Sequence, residues 1–155
     1  MHLLFVCTGN TCRSPIAAAI ARQVADERGL SDVEIASAGT SAAEGQPASD
    51  GAVLVGLERQ LDLTAHRARQ LMPEHVDAAD LILVMGSHHL ERVEALGGTG
   101  KAYLLTAYSS RGADARPVTD PFGGDLDVYR ATVDELDTEI RRVLDRLASE
   151  RTATE

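Results

Sequence analysis

Near the N-terminus the chain reads Cys7-Thr8-Gly9-Asn10-Thr11-Cys12-Arg13-Ser14-Pro15. An apolar run, Leu3-Leu4-Phe5-Val6, leads in, and an alanine-rich helical pattern from Ile16 leads out. A strand therefore delivers Cys7 to a turn that opens directly into a helix N-terminus. Such a terminus carries unpaired backbone N–H groups and the positive end of the helix dipole, which attract anions and favour a thiolate over a thiol. Gly9 lets the backbone bend so that successive amides converge. Arg13, six residues after Cys7, adds a planar, charged fork suited to phosphate oxygens. A phosphate held by Thr8, Gly9, Asn10, Thr11, Cys12, Arg13 and Ser14 has its phosphorus above the Cys7 sulfur. The thiolate can then attack in line while Arg13 and the amides stabilise the equatorial oxygens.

That chemistry also requires an acid for the leaving group. Asp120 is the best candidate: it precedes a proline, which favours extended backbone, and Phe122-Gly123-Gly124 makes a kinked loop after it. Asp125 and Asp127 read as caps of the last helix. Ser14 has two compatible roles, capping the helix and donating its hydroxyl to the Cys7 sulfur. Asn10 is either a turn residue tolerant of left-handed backbone or a brace that locks the loop through His66. Cys12 on its own reads as a free thiol in a reducing cell, five positions from Cys7 in a loop too tight for a structural staple. His88-His89 point to different faces of a helix and read as surface residues. No carboxylate–histidine spacing indicates a metal, and no cofactor is called for.

The elements that position these residues follow from the pattern of the chain. His2–Val6 is a short apolar run, as expected of a strand buried on both faces. A helix follows from an N-cap at Ser14 with Pro15 in its first turn, carrying Ile16, Ile20 and Val24 at four-residue spacing and stopping near Gly29. Val33–Ala38 reads as a second strand. Ser49-Asp50 caps a helix with Val53, Leu54 and Leu57 as its apolar side. Pro73 opens a helical turn, and Leu81-Ile82-Leu83-Val84-Met85, the most apolar run, is a central strand. Ser87–Leu96 is a short helix ended by Gly97-Gly98, and Tyr103-Leu104-Leu105 is a fourth strand. A long polar loop, Thr106–Thr119, reaches Asp120. Asp127 to about Ala148 is an amphipathic helix with Val128, Val133, Leu136, Ile140, Val143, Leu144 and Leu147 inward. Alternating strands and helices with buried, non-alternating strands predict an α/β fold with a parallel sheet. Ligands of such sheets sit beyond the strands' C-terminal ends, where Cys7 falls.

Composition narrows the function further. The chain has 155 residues, enough for one domain, placed at 1–149 with a frayed tail at 150–155. A formal net charge of −9 argues against a nucleic-acid partner, which needs a basic face. No apolar run approaches a bilayer span and no basic, signal-like segment opens the chain, so a cytoplasmic protein without membrane partner is expected. Aromatic residues make up only 3% of the chain. A slot for a phenyl ring is therefore poorly furnished.

Cys7–Pro15 taken with Asp120–Gly124 resembles the low-molecular-weight protein tyrosine phosphatase superfamily, and the likeness covers nearly the whole chain. The His66-Arg67-Ala68-Arg69-Gln70-Leu71 stretch and the Asp80-to-Met85 strand fall in family order. The resemblance implies a flavodoxin-like, four-stranded parallel sheet flanked by helices on both faces. It implies a metal-independent protein phosphatase acting on phosphorylated proteins, and a monomer is expected. The mechanism implied is a phosphocysteine on Cys7, with Asp120 first as acid and then as base for water. Asn10, Ser14 and His66 become the supporting hydrogen-bond network, and Cys12 the redox partner of the nucleophile. Two departures from the tyrosine-specific pattern bear on the substrate. Thr11 stands where an aliphatic residue is usual, and Phe122-Gly123 stands in place of paired tyrosines. A polar Thr11 beside Asp120 suits a guanidinium, and both features, with Asp127-Val128-Tyr129, resemble the protein arginine phosphatase branch. Thr11, Asp120 and Phe122 are thus the expected specificity residues and phosphoarginine the expected substrate, with phosphotyrosine as the alternative. An arsenate reductase would need further cysteines after Cys12, and a non-catalytic phosphate-binding module would have no use for both Cys7 and Asp120.

Overall fold

The computed structural model describes residues 1–154, and side chains as far as Glu150. Four strands, β1 (His2–Cys7), β2 (Glu34–Gly39), β3 (Leu81–Val84) and β4 (Ala102–Leu104), form one parallel sheet in the order β2-β1-β3-β4. The chain leaves β1 towards β2 and later crosses back to β3 on β1's other side. The strand order therefore reverses at β1, and the crevice that such a reversal opens lies at its C-terminal end. Cys7 is the last residue of that strand.

Both faces of the sheet are covered, which explains why the strands show no polar alternation. Leu3, Phe5 and Cys7 point into the larger core against α1 (Arg13–Glu27) and α6 (Leu126–Thr154). Leu4 and Val6 point the other way, into a core with Val76 of α3 (Pro73–Ala78) and Val93 of α4 (Ser87–Val93). The helices α1 and α6 pack against each other through Ile16, Ile20, Leu136, Ile140 and Leu144, all fully buried. The four-stranded parallel architecture is the one that the family resemblance implied.

Four local expectations are corrected. The first helix starts at Arg13, its N-cap position is Cys12, and Ser14 lies inside the first turn with its hydroxyl turned away from capping. The stop at Gly29 is as expected, with φ +68°. In α2 (Asp50–Glu58) Ser49 does cap, accepting from the Ala52 amide. The buried side of α2, however, is Ala52, Val55 and Gly56, and Leu54 and Leu57 stand 51% and 54% exposed. The segment read as a polar loop from Thr106 holds α5 (Leu105–Ser109), which buries Leu105, Thr106 and Tyr108. Val128, expected to face inward, is exposed on α6, whereas the other six apolar positions named there are buried. That helix carries its backbone on to Thr154; the tail expected to fray from residue 150 falls largely beyond the described side chains, and Glu155 lies outside the described residues. No helix among the described residues is long and apolar enough to cross a membrane.

Candidate active site

The turn after β1 is held from outside by its carbonyls. Those of Cys7 and Thr8 accept from the amides of Thr40 and Ser41, each at 2.9 Å. That of Thr11 accepts from the Ser49 amide at 2.9 Å, and that of Cys12 from Ile16 at 3.2 Å. The Asn10 carbonyl is bound by His66 Nε2 at 2.6 Å. Because a carbonyl only accepts, Nε2 carries the proton and His66 is the donor. Among the described residues the amides of Thr8 through Cys12 donate to no other protein group. With carbonyls pinned outward and amides left over at a helix N-terminus, the turn is a nest for an anion.

Asn10 sits at the centre of the brace. Its backbone is left-handed at φ +56°, a conformation that asparagine tolerates. Its side chain is fully buried and satisfied on both ends: Oδ1 accepts from the Arg69 amide at 3.0 Å, and Nδ2 donates to Ser37 Oγ at 2.9 Å and to Ser14 Oγ at 2.8 Å. Accepting a hydrogen bond from Asn10 leaves Ser14 free to direct its own hydroxyl proton at the Cys7 sulfur, 2.9 Å away. Burial, with Arg22 and Arg67 nearby, pushes the His66 pKa below its ordinary value against the opposing pull of the Asn10 carbonyl. His66 is therefore neutral at pH 7. Close approach beneath the turn is secured by Gly39, where a Cβ would stand 2.4 Å from the Thr8 carbonyl oxygen.

Arg13 is buried and crosses to the late loop. One terminal nitrogen donates to the Val118 carbonyl at 3.0 Å, and the other lies 3.6 Å from Asp120 Oδ2. Asp120 is half exposed and its other oxygen accepts from the Phe122 amide at 3.1 Å, closing a small turn. Asp125 caps α6 by accepting from the Val128 amide, and Asp127 pairs with Arg130, so both are engaged elsewhere and neither lines the cavity that Asp120 shares with Cys7. Cys7, Thr8, Gly9, Thr11, Cys12, Arg13, Asp120 and Phe122 line one cavity of about 210 Å³. The structure thus brings together the residues singled out in the sequence, with His66, Asn10 and Ser14 directly behind them.

Three further residues join the site without having been foreseen. His89, expected at the surface, is fully buried, and its Nε2 lies 2.8 Å from Thr8 Oγ1. The available signal was its place just past the end of β3, where an α/β sheet gathers its site residues. Ser49 and Tyr129 surround Cys12, with Ser49 Oγ at 3.2 Å and the Tyr129 hydroxyl at 3.5 Å from the sulfur. Both cysteines are free and buried. No group of three or more His, Cys, Asp or Glu among the described residues could hold a metal ion.

A sulfur, an arginine and a carboxyl group that line one cavity beside a turn of free amides form the kind of site that cysteine-based phosphate transfer requires, on a parallel α/β sheet. The family of low molecular weight phosphotyrosine protein phosphatases matches residues 2–153, so the chain belongs to that family and is a protein phosphatase. It is 42% identical over 150 residues to a protein-arginine-phosphatase of Geobacillus stearothermophilus, covering 97% of this chain and 98% of that one. It is 39% identical over 137 residues to the low molecular weight protein-tyrosine-phosphatase PtpB of Staphylococcus haemolyticus, covering 88% and 92%. A solved structure of the YwlE arginine phosphatase, a mutant with a phosphorylated active-site serine, superposes with a TM-score of 0.90 at 35% identity over 98% of this chain and 99% of that one.

Proposed function

We propose that the chain dephosphorylates phosphoarginine in proteins, through a phosphocysteine on Cys7. The observation that carries this reading is the wall of the cavity: Thr11 faces the same space as Asp120, and its one aromatic residue, Phe122, is 75% exposed at the mouth. A hydroxyl and a carboxyl oxygen can accept from the N–H donors of a guanidinium, whereas a phenyl ring would find a single, loose aromatic contact at the mouth. The similarity to an arginine phosphatase supports the same substrate.

In the first step the Cys7 thiolate attacks phosphorus, the S–P bond forms, and the P–N bond breaks with a proton from Asp120 to the departing guanidine. Arg13 and the amides of the turn stabilise the charge on the equatorial oxygens. In the second, Asp120 takes a proton from water, which attacks phosphorus and releases Cys7 as thiolate with inorganic phosphate. The Ser14 hydroxyl, 2.9 Å from the sulfur, donates to it in both steps. Cys12 is assigned the part of redox partner to Cys7, and the enzyme is placed in the cytoplasm as a monomer. Phosphotyrosine is the second substrate to weigh, since Phe122 offers a ring face at the mouth and a tyrosine phosphatase is among the relatives.

Substitution of Cys7 and of Thr11 tests both halves. Cys7→Ser is expected to abolish turnover of p-nitrophenyl phosphate while inorganic phosphate still binds, and surviving turnover removes Cys7 as nucleophile. Thr11→Ile is expected to shift the kcat/KM ratio from phosphoarginine towards phosphotyrosine peptides. Equal loss on both would show that Thr11 does not select the substrate.

A further inference from the structure

His89 is the residue whose placement the reaction scheme above leaves unexplained. It is a fully buried histidine at the edge of the phosphate turn, and its Nδ1 is the one buried side-chain nitrogen or oxygen among the described residues that no protein group reaches. Its Nε2 is 2.8 Å from Thr8 Oγ1. Burial, with His88 and Arg13 adding to it against Asp120, pushes its pKa down to about 4, so the ring is neutral when the enzyme works near neutral pH. A neutral imidazole carries one proton. Placed on Nδ1, that proton would be an N–H aimed at no acceptor in the protein, beside the Gly86 backbone and the His88 ring, 3.9 Å away between centroids. Placed on Nε2, it leaves only a bare lone pair at Nδ1 and makes a hydrogen bond to Thr8. Buried N–H groups without partners are the rarer and costlier defect.

The Nε2–H tautomer has a consequence for Thr8. A hydroxyl oxygen that already accepts from His89 is left with its own proton to give, and Thr8 lines the cavity with Cys7, Arg13 and Asp120. We propose that His89 is a positioning residue that fixes the Thr8 hydroxyl as a hydrogen-bond donor into the phosphate cavity, adding a side-chain donor to the backbone amides of the nest. This builds on the phosphatase reading but concerns oxyanion binding, which is measurable apart from turnover. A leucine in place of His89 would leave the Thr8 hydroxyl free to rotate and to spend its proton on a neighbouring carbonyl.

The test has two arms. Binding of inorganic phosphate by calorimetry should weaken roughly tenfold in Thr8→Val and in His89→Leu, as expected for one lost hydrogen bond to a charged group. The double variant should be no weaker than either single one, because both remove the same donor. His89→Gln, whose amide can place an N–H near the Nε2 position, should restore most of the affinity. Additive losses, or wild-type affinity in His89→Leu beside a loss in Thr8→Val, overturn the proposal. In the second arm the wild-type protein is labelled with 15N, so folding of variants does not enter. Two-bond correlations of the His89 ring should place the proton on Nε2, and a proton on Nδ1 overturns the proposal. Absence of turnover on any phosphorylated substrate, with these binding results intact, would instead count against the phosphatase scheme.

Discussion

At the scale of single residues, Cys7 is served by a chain of donors that ends at the protein backbone. The Arg69 amide fixes Asn10, Asn10 donates a hydrogen bond to Ser14, and Ser14 is left to donate to sulfur. Ser14→Ala is therefore expected to lower kcat about ten- to a hundredfold with little change in KM, the loss appropriate to one hydrogen bond to a charged group. An unchanged kcat would show that the contact is only structural. Cys7, Arg13 and Asp120 were legible because their chemistry demands those residue types, and Asn10, Ser14 and His66 because the family resemblance pairs them. Ser14 was half misread: serine before Pro15 is a common start signal, but the turn needs its hydroxyl for Cys7, and the helix begins two residues earlier, from an N-cap position at Cys12, without a side-chain cap. For His89 the only signal was its place just past β3, since two adjacent histidines on a seven-residue helix give no periodicity from which to tell the inward one.

At the scale of elements, the end of β2 and the turn after β1 are packed backbone on backbone. The contact depends on Gly39, whose hypothetical Cβ meets the Thr8 carbonyl oxygen at 2.4 Å and the Asn10 amide nitrogen at 2.9 Å. Neither atom can swing away as a side-chain tip could. Gly39→Ala should cost about 1–3 kcal/mol of stability through overpacking, and by shifting the nest it should lower kcat/KM by about a hundredfold. Near wild-type kinetics in a folded Gly39→Ala protein would contradict this view of the turn. The strands and long helices were readable because runs such as Leu81–Val84 and the spacing of Val133, Leu136, Ile140 and Leu144 have one sensible burial. The face of α2 was not. Its inward side is made of small residues, Ala52, Val55 and Gly56, because Gly56 lies against the Leu61 carbonyl and Leu63, leaving no room for the leucines that hydropathy would turn inward. The five-residue α5 hid in a polar stretch because its few buried residues are too short a sample for a period.

At the scale of the molecule, three histidines are held neutral by burial, and this links folding to pH. The His89 pKa falls from 6.5 to about 4, and those of His66 and His75 are also lowered, each chiefly by burial. Well above pH 6.5 these rings are neutral in both states and their contribution is complete. As pH falls, the unfolded chain takes up protons first, so stability is lost between about 6.5 and 4, on the order of 3 kcal/mol for His89. Urea midpoints at pH 7 and pH 5 should show this decline, and His89→Gln should flatten it; equal midpoints in the wild type would contradict the buried neutral ring. The acidic surface, with a net charge of −9, leaves anion capture to the nest and Arg13 and favours substrates that bring positive charge to the mouth. The substrate is thus the point on which fold, site and surface meet. Side-by-side kcat/KM values on phosphoarginine, phosphotyrosine and phosphoserine peptides of otherwise identical sequence test it most directly: phosphoarginine is expected to be hydrolysed fastest, and a clear preference for phosphotyrosine would contradict the assignment of Thr11 and Asp120 as a guanidinium site.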